Sequence, residues 1–266
     1  MTERGPGPGR WIDVQPERLT RWVESFAARH GALAAEPGPA GAVIRAADGA
    51  SADCRVPFPP LETGSPAGPA AGRAGPATPP ADGAGPAGPL ADAGDPAAGA
   101  GTAAAIGLAA VMAAHAAAGR TVGVLLVRLG GYAAGVFTGA PPALAASKTG
   151  SRLVHGRSAA GGWSQQRFAR RREQQAASAL SAAADTAARV FAPYEGRLDA
   201  VVLGGDRRAV AGLSGDPRLR PYLALAVERF LTVPDPRLAV LRDCGRLLRA
   251  VQIRVAEPPV PGPPAG

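Results

Sequence analysis

Apolar positions recur along this chain with two different periods. Between Pro16 and Arg29, the residues Leu19, Trp22, Val23 and Phe26 are spaced by three or four, and His30-Gly31 follows. That spacing predicts an amphipathic helix opened by proline and stopped by glycine. Short apolar runs at 42–45 and 54–58, the latter closed by Pro59-Pro60, predict two strands. Further on, the continuous run 121–128 (TVGVLLVR) predicts a buried strand, Gly130-Gly131 a turn, and 132–137 its returning partner, with a third strand near 144–148. From Ser164 to Phe191, the residues Phe168, Ala176, Leu180, Ala183, Ala187 and Val190 recur at helical intervals, and Pro193 follows. A strand at 198–203 closed by Gly204-Gly205-Asp206, helices around 222–230 and 236–250, and a last strand at 251–255 complete the pattern. Strands interleaved with helices on this scale predict an α/β domain, a mixed sheet with packed helices, preceded by a small N-terminal α+β unit.

Composition divides the chain. Residues 63–100 are almost entirely Gly, Pro and Ala, with Leu90 as the single large aliphatic. Such a stretch buries too little surface to offset its ordering entropy, so a disordered linker is expected there. The expected organisation is a small unit at 1–62 acting as a lid or docking module, the linker at 63–100, the main domain at 101–257 and a disordered tail at 258–266. Residues 101–119 carry no charge but are mostly Ala and Gly. Alanine contributes little to transfer into hydrocarbon, so this reads as a helix packed through Ile106, Leu108, Val111 and Met112 rather than as a membrane span.

Charge is segregated as well. Residues 1–120 hold 9 Arg against 11 acids, whereas 121–266 hold 20 Lys and Arg against 10, so the net charge of +8 belongs to the C-terminal half. A segregated positive field favours a polyanionic partner, nucleic acid or an anionic surface. Cys54 and Cys244 lie far apart and outside any paired spacing, which indicates neither zinc nor a disulfide framework and suits a reducing cytoplasm. The first ten residues lack the apolar run of a secretion signal.

The densest charge lies in 148–173, KTGSRLVHGRSAAGGWSQQRFARRRE, where Lys148, Arg152, Arg157, Arg167, Arg170, Arg171 and Arg172 face one acid, Glu173. Arg167, Arg170 and Arg171 fall at i, i+3 and i+4 and share a helix face, where like charges repel unless an anion joins them. A solvated helix face is the bland alternative. Before the helix, Gly161-Gly162 permits unusual backbone conformations and a close approach to a ligand, and Ser164 suits an N-cap. Gln165 and Gln166 then put neutral hydrogen-bonding groups at the tip of a basic module.

The run GSRLVHGRSAAGGWSQQRFARRREQQA resembles the actinobacterial branch of the Vms-like peptidyl-tRNA hydrolases, the VLRF family, relatives of the middle domain of eukaryotic and archaeal release factors. The resemblance extends from about Thr121 to the final strand and, more loosely, to the unit ending in VPFPPL. It implies a release-factor middle-domain-like fold and hydrolysis of peptidyl-tRNA on the ribosome. Gly161 and Gly162 would fit the loop against the peptidyl-transferase centre, and a glutamine would help place water against the ester carbonyl. It implies no cofactor, a monomer, and the large-subunit rRNA and peptidyl-tRNA as partners, with the arginines on phosphates. Trp163 could stack on a base or pack under the loop. Trp163 and Ser164 separate the glycine pair from the glutamines, whereas the release-factor pattern has Gln directly after Gly-Gly; Gln165 is the first choice and Gln166 the second.

Other chemistries fit less well. His155 with Ser151, Ser158 or Ser164 lacks a nucleophile elbow and sits among cations. His30, His115 and His155 are far apart, against a metal site. Asp199 and Asp206 flank one strand without the further acids a two-metal nuclease needs. A non-catalytic factor that docks on the ribosome or RNA through the same basic helix is the competing functional reading.

Overall fold

The computed structural model describes residues 9–61, 96–128, 130–151 and 164–258. In chain order the elements are β1 (Arg10–Val14), α1 (Pro16–His30), β2 (Leu33–Gly38), β3 (Gly41–Ala46), β4 (Ser51–Arg55), α2 (Pro96–Ala117), β5 (Val122–Arg128), β6 (Gly131–Thr138), β7 (Ala143–Ser151), α3 (Ser164–Phe191), β8 (Ala200–Gly205), α4 (Arg207–Ala211), α5 (Arg220–Leu223), β9 (Ala226–Leu231), α6 (Leu238–Arg249) and β10 (Val251–Ala256). They form two five-stranded sheets, ordered β1-β10-β4-β3-β2 and β7-β6-β5-β8-β9.

The first sheet is antiparallel throughout. Its strands alternate, as half-buried strands must. Val14, Ile44, Ala52, Cys54, Val251 and Ile253 point into a core completed by Leu19, Val23 and Phe26 of α1 and by Ala105, Ala109, Met112 and Ala116 of α2. The opposite face carries Trp11, Asp13, Glu36, Arg45 and Arg55, all exposed. Here Trp11 lies beneath two guanidinium groups, Arg55 at 5.0 Å and Arg254 at 5.7 Å from the ring centre.

The helix and final strand expected in the second unit pack with this first sheet instead. α2 buries its alanine stripe and Met112 against α1 and the sheet; Ile106 and Leu108 are only partly buried, and Val111 is 38% exposed. Small side chains allow the close approach. A Cβ on Gly101 would stand 2.5 Å from the Leu33 carbonyl oxygen, and the neighbouring Thr102 hydroxyl accepts a hydrogen bond from the Leu33 amide at 3.0 Å. By length and composition α2 could cross a membrane, yet its buried residues belong to this core. β10 enters between β1 and β4, in register Ile253 to Ile12 and Cys54. The apolar pattern of both elements was legible, but a pattern records which face is buried and not what covers it. The last five residues of the expected linker, 96–100, form the start of α2, with Pro96 at the position where its missing N–H costs nothing. The rest of the linker, and the tail from 259, lie outside the described residues.

The second sheet is mixed: β5 pairs antiparallel with β6 and parallel with β8, and β8 runs parallel with β9. β5 is buried on both sides. Val122, Val124 and Leu126 meet Phe137, Leu241, Cys244 and Leu248, most of the last from α6, while Leu125 and Val127 meet Ala183, Ala187 and Phe191 of α3. A strand covered twice reads as a continuous apolar run, which is why TVGVLLVR was recognisable. Residues 226–231, expected as part of a helix, form β9; only Arg220–Leu223 are helical there. Short apolar runs satisfy both periods, and here pairing with β8 decides. β1, β2 and α4 were not expected. Phe58, from the end of the N-terminal segment, packs in the core of this second sheet.

Candidate functional site

Among the described residues β7 is an edge strand, paired with β6, and it ends at Ser151. α3 starts at Ser164. The segment 152–163 therefore joins the end of an edge strand to the start of a long helix; it holds Arg152, Arg157, Gly161, Gly162 and Trp163, with His155 and Ser158, and lies outside the described residues. Gln165, Gln166 and Arg167 occupy the first turn of α3. Lys148, opposite Ala134, and Arg170 are both exposed.

α3 is long for the work of packing. Its buried residues are Ala183, Ala184, Thr186, Ala187 and Phe191 in the last third, and none of the described side chains from Arg170 to Ala182 is buried. At about 1.5 Å per residue, Ala183 lies roughly 28 Å along the axis from Ser164. The first turn contains no acid. A cation in that turn, where Arg167 stands, opposes the positive end of the helix dipole, at about 0.3–1 kcal/mol when exposed. Arg170 is an exposed cation without an ion-pair partner among the described residues, near the start of a helix whose far end is fixed.

Two features that fix this helix and strand were missed in sequence. Arg218 forms ion pairs with Asp185 on α3 and with Asp216, and it holds the Asp216 carboxyl below the usual range. At the strand end, Gly150 lies opposite Tyr132, where a Cβ would come within 2.4 Å of the ring. The tyrosine thus lies over Gly150, one residue before the end of β7. Neither pairing leaves a local trace, since 33 residues separate Arg218 from Asp185.

The paired-carboxylate reading loses its geometry, while His155 and Ser158 lie outside the described residues. The Asp199 carboxylate accepts the Thr121 amide at 2.7 Å, before β8 begins, whereas the Asp206 carboxylate accepts the Arg208 amide at 2.7 Å and caps α4 beyond its end. The two acids sit at opposite ends of a strand roughly 20 Å long. Among the described residues no three His, Cys, Asp or Glu side chains gather as metal ligands. His30 pairs with Asp48 at 2.8 Å, and the His115 Nε2 lies 2.7 Å from the Phe58 carbonyl oxygen. Both thiols are buried, and burial pushes each up to about 12.

No curated protein matches the chain. Among solved structures it is similar to the crystal structure of archaeal translation termination factor aRF1, with a TM-score of 0.37 and 15% identity over 46% of this chain. It spans about a third of that protein, 32% of its length. A family model described as Actinobacteria/chloroflexi VLRF1 release factor matches residues 120–254, which cover β5 to β10 and the whole basic segment. By this match over half its length, the chain belongs to the Actinobacteria/chloroflexi VLRF1 release factor family.

Proposed function

We propose that this release-factor family member hydrolyses the ester of peptidyl-tRNA on obstructed ribosomes, working as a cytoplasmic monomer without a cofactor. The observation that carries the reading is the start of α3. In the sequence a glycine pair and two glutamines precede a cluster of arginines, at the head of a helix whose described buried residues all lie in its last third. Gly161 and Gly162 let the loop enter a narrow RNA-walled cavity. Gln165, with Gln166 as the second choice, orients water against the ester carbonyl and stabilises the tetrahedral intermediate. Lys148, Arg152, Arg157, Arg167, Arg170, Arg171 and Arg172 hold phosphates, and Trp163 stacks on a base.

Ribosome–nascent-chain complexes incubated with the protein should release peptide. Gln165→Ala should lower the release rate roughly 10²-fold, the usual loss when one positioned polar group is removed, while ribosome co-sedimentation persists. Release at the wild-type rate by both Gln165→Ala and Gln166→Ala would leave docking as the function. Arg170→Glu with Arg171→Glu should weaken ribosome binding and flatten its salt dependence.

A further inference from the structure

A second cationic site lies away from α3, where the first sheet meets α6. A groove of about 490 Å³ is lined there by Asp13, Gln15, Arg18, Arg21, Trp22 and Arg246, among others. Arg18 and Arg21 project from α1, one turn apart, and Arg246 from the last turn of α6; all three are exposed. The seam is held by the Gln15 side-chain amide donating to the Arg246 carbonyl oxygen at 3.2 Å.

Two neighbouring acids, Asp13 and Glu17, are already committed. Asp13 accepts from the nearly buried Arg229 at 3.4 Å and from the Gln252 amide at 3.2 Å. Glu17 pairs with Arg249, which helps hold its carboxyl below the usual range. No described carboxylate pairs with Arg18, Arg21 or Arg246, so three guanidinium groups from two elements converge on one groove without a counter-ion. α6 and α3 cover opposite faces of the second sheet, which sets this groove apart from the arginines of α3.

We infer that the groove between α1 and α6 binds the phosphate backbone of RNA, as a contact separate from the peptide-releasing loop. The occupant is RNA because convergent guanidiniums suit closely spaced phosphates, and counterion release rewards their neutralisation. Contacts to phosphates carry no sequence information, so binding is expected to be indifferent to sequence.

The test is fluorescence anisotropy of the full chain with labelled RNA hairpins of unrelated sequence, titrated over a range of sodium chloride. R18Q/R21Q/R246Q should weaken binding of every hairpin at least roughly tenfold near 0.1 M salt, and reduce the slope of log Kd against log salt by about 2 to 3. R18K/R21K/R246K, which keeps the charge, should retain most of the slope. An unchanged slope in the glutamine variant overturns the proposal, as does a loss confined to one hairpin sequence. Loss of the slope in the lysine variant with an unchanged Tm also overturns it. So does poly-glutamate displacing RNA at equal charge concentration, which would mark an acidic protein partner. The assay requires no peptide release, so its failure and that of the hydrolase reading are separately visible.

Discussion

Among the described residues the first sheet keeps one face open, whereas the second is covered on both, and the chain is written differently for each. Strands of the open sheet alternate, as in RWIDV and VQIRV, because every second side chain meets water. The central strand of the covered sheet, VGVLLVR, has six consecutive buried residues. The covered sheet carries the family match and the basic helix; the open one supplies a second basic seam through α1. Yet the two are tied together. Phe58 leaves the first sheet to pack in the second core, and Arg229 beside β10 donates to the Ala250 carbonyl oxygen while pairing with Asp13. The lesson is that burial on one face or two is written locally, whereas the ties between sheets are not.

The largest effects should come from the two cores. Phe191→Ala removes a fully buried ring from the covered sheet and should cost about 3–5 kcal/mol, and Ile253→Ala in the open sheet about 2–5 kcal/mol. With the sheets tied, both should shift one urea transition. Two transitions, each moved by only one variant, would break the union and leave two independent folding units.

A smaller effect sharpens the symmetry, since each core holds one thiol. Burial raises Cys54 and Cys244 to about 12, so the folded chain keeps protons that the unfolded chain releases near its ordinary value of about 9. The stabilisation is therefore complete below about pH 9 and is lost as pH rises towards 12. Cys54→Ala and Cys244→Ala should each flatten the fall of unfolding free energy with pH relative to wild type over that window. An identical slope in both variants would show that the thiols ionise freely in the fold.

The smallest effect belongs to the open face. Trp11 is 44% exposed, and its two arginine contacts contribute about 0.5–1 kcal/mol each at such a site, so Trp11→Ala should cost no more than about 2 kcal/mol in urea unfolding. A loss matching that of Phe191→Ala would mean that the face is covered.

Much of the candidate site was legible. The bounds of α3, its arginines and the glutamines in its first turn follow from local spacing, because a helix projects residues by their own periodicity. The platform of Tyr132 over Gly150, the Arg218–Asp185 anchor and the groove of Arg18, Arg21 and Arg246 were not, since each joins residues that chain order keeps apart. β9 was misread for the related reason that six residues fit either period until a neighbour supplies hydrogen bonds.

What this chain determined by itself is the type of most elements, the concentration of positive charge in its C-terminal half and the residue types gathered at the head of α3. All three arise from interactions within a few residues. Tertiary structure alone decided that α2 and β10 serve the first sheet, and that Asp13 and Glu17 near the α1–α6 seam are spent on internal partners. Those outcomes depend on which buried faces meet, and a side chain's periodicity carries no information about the surface that will cover it.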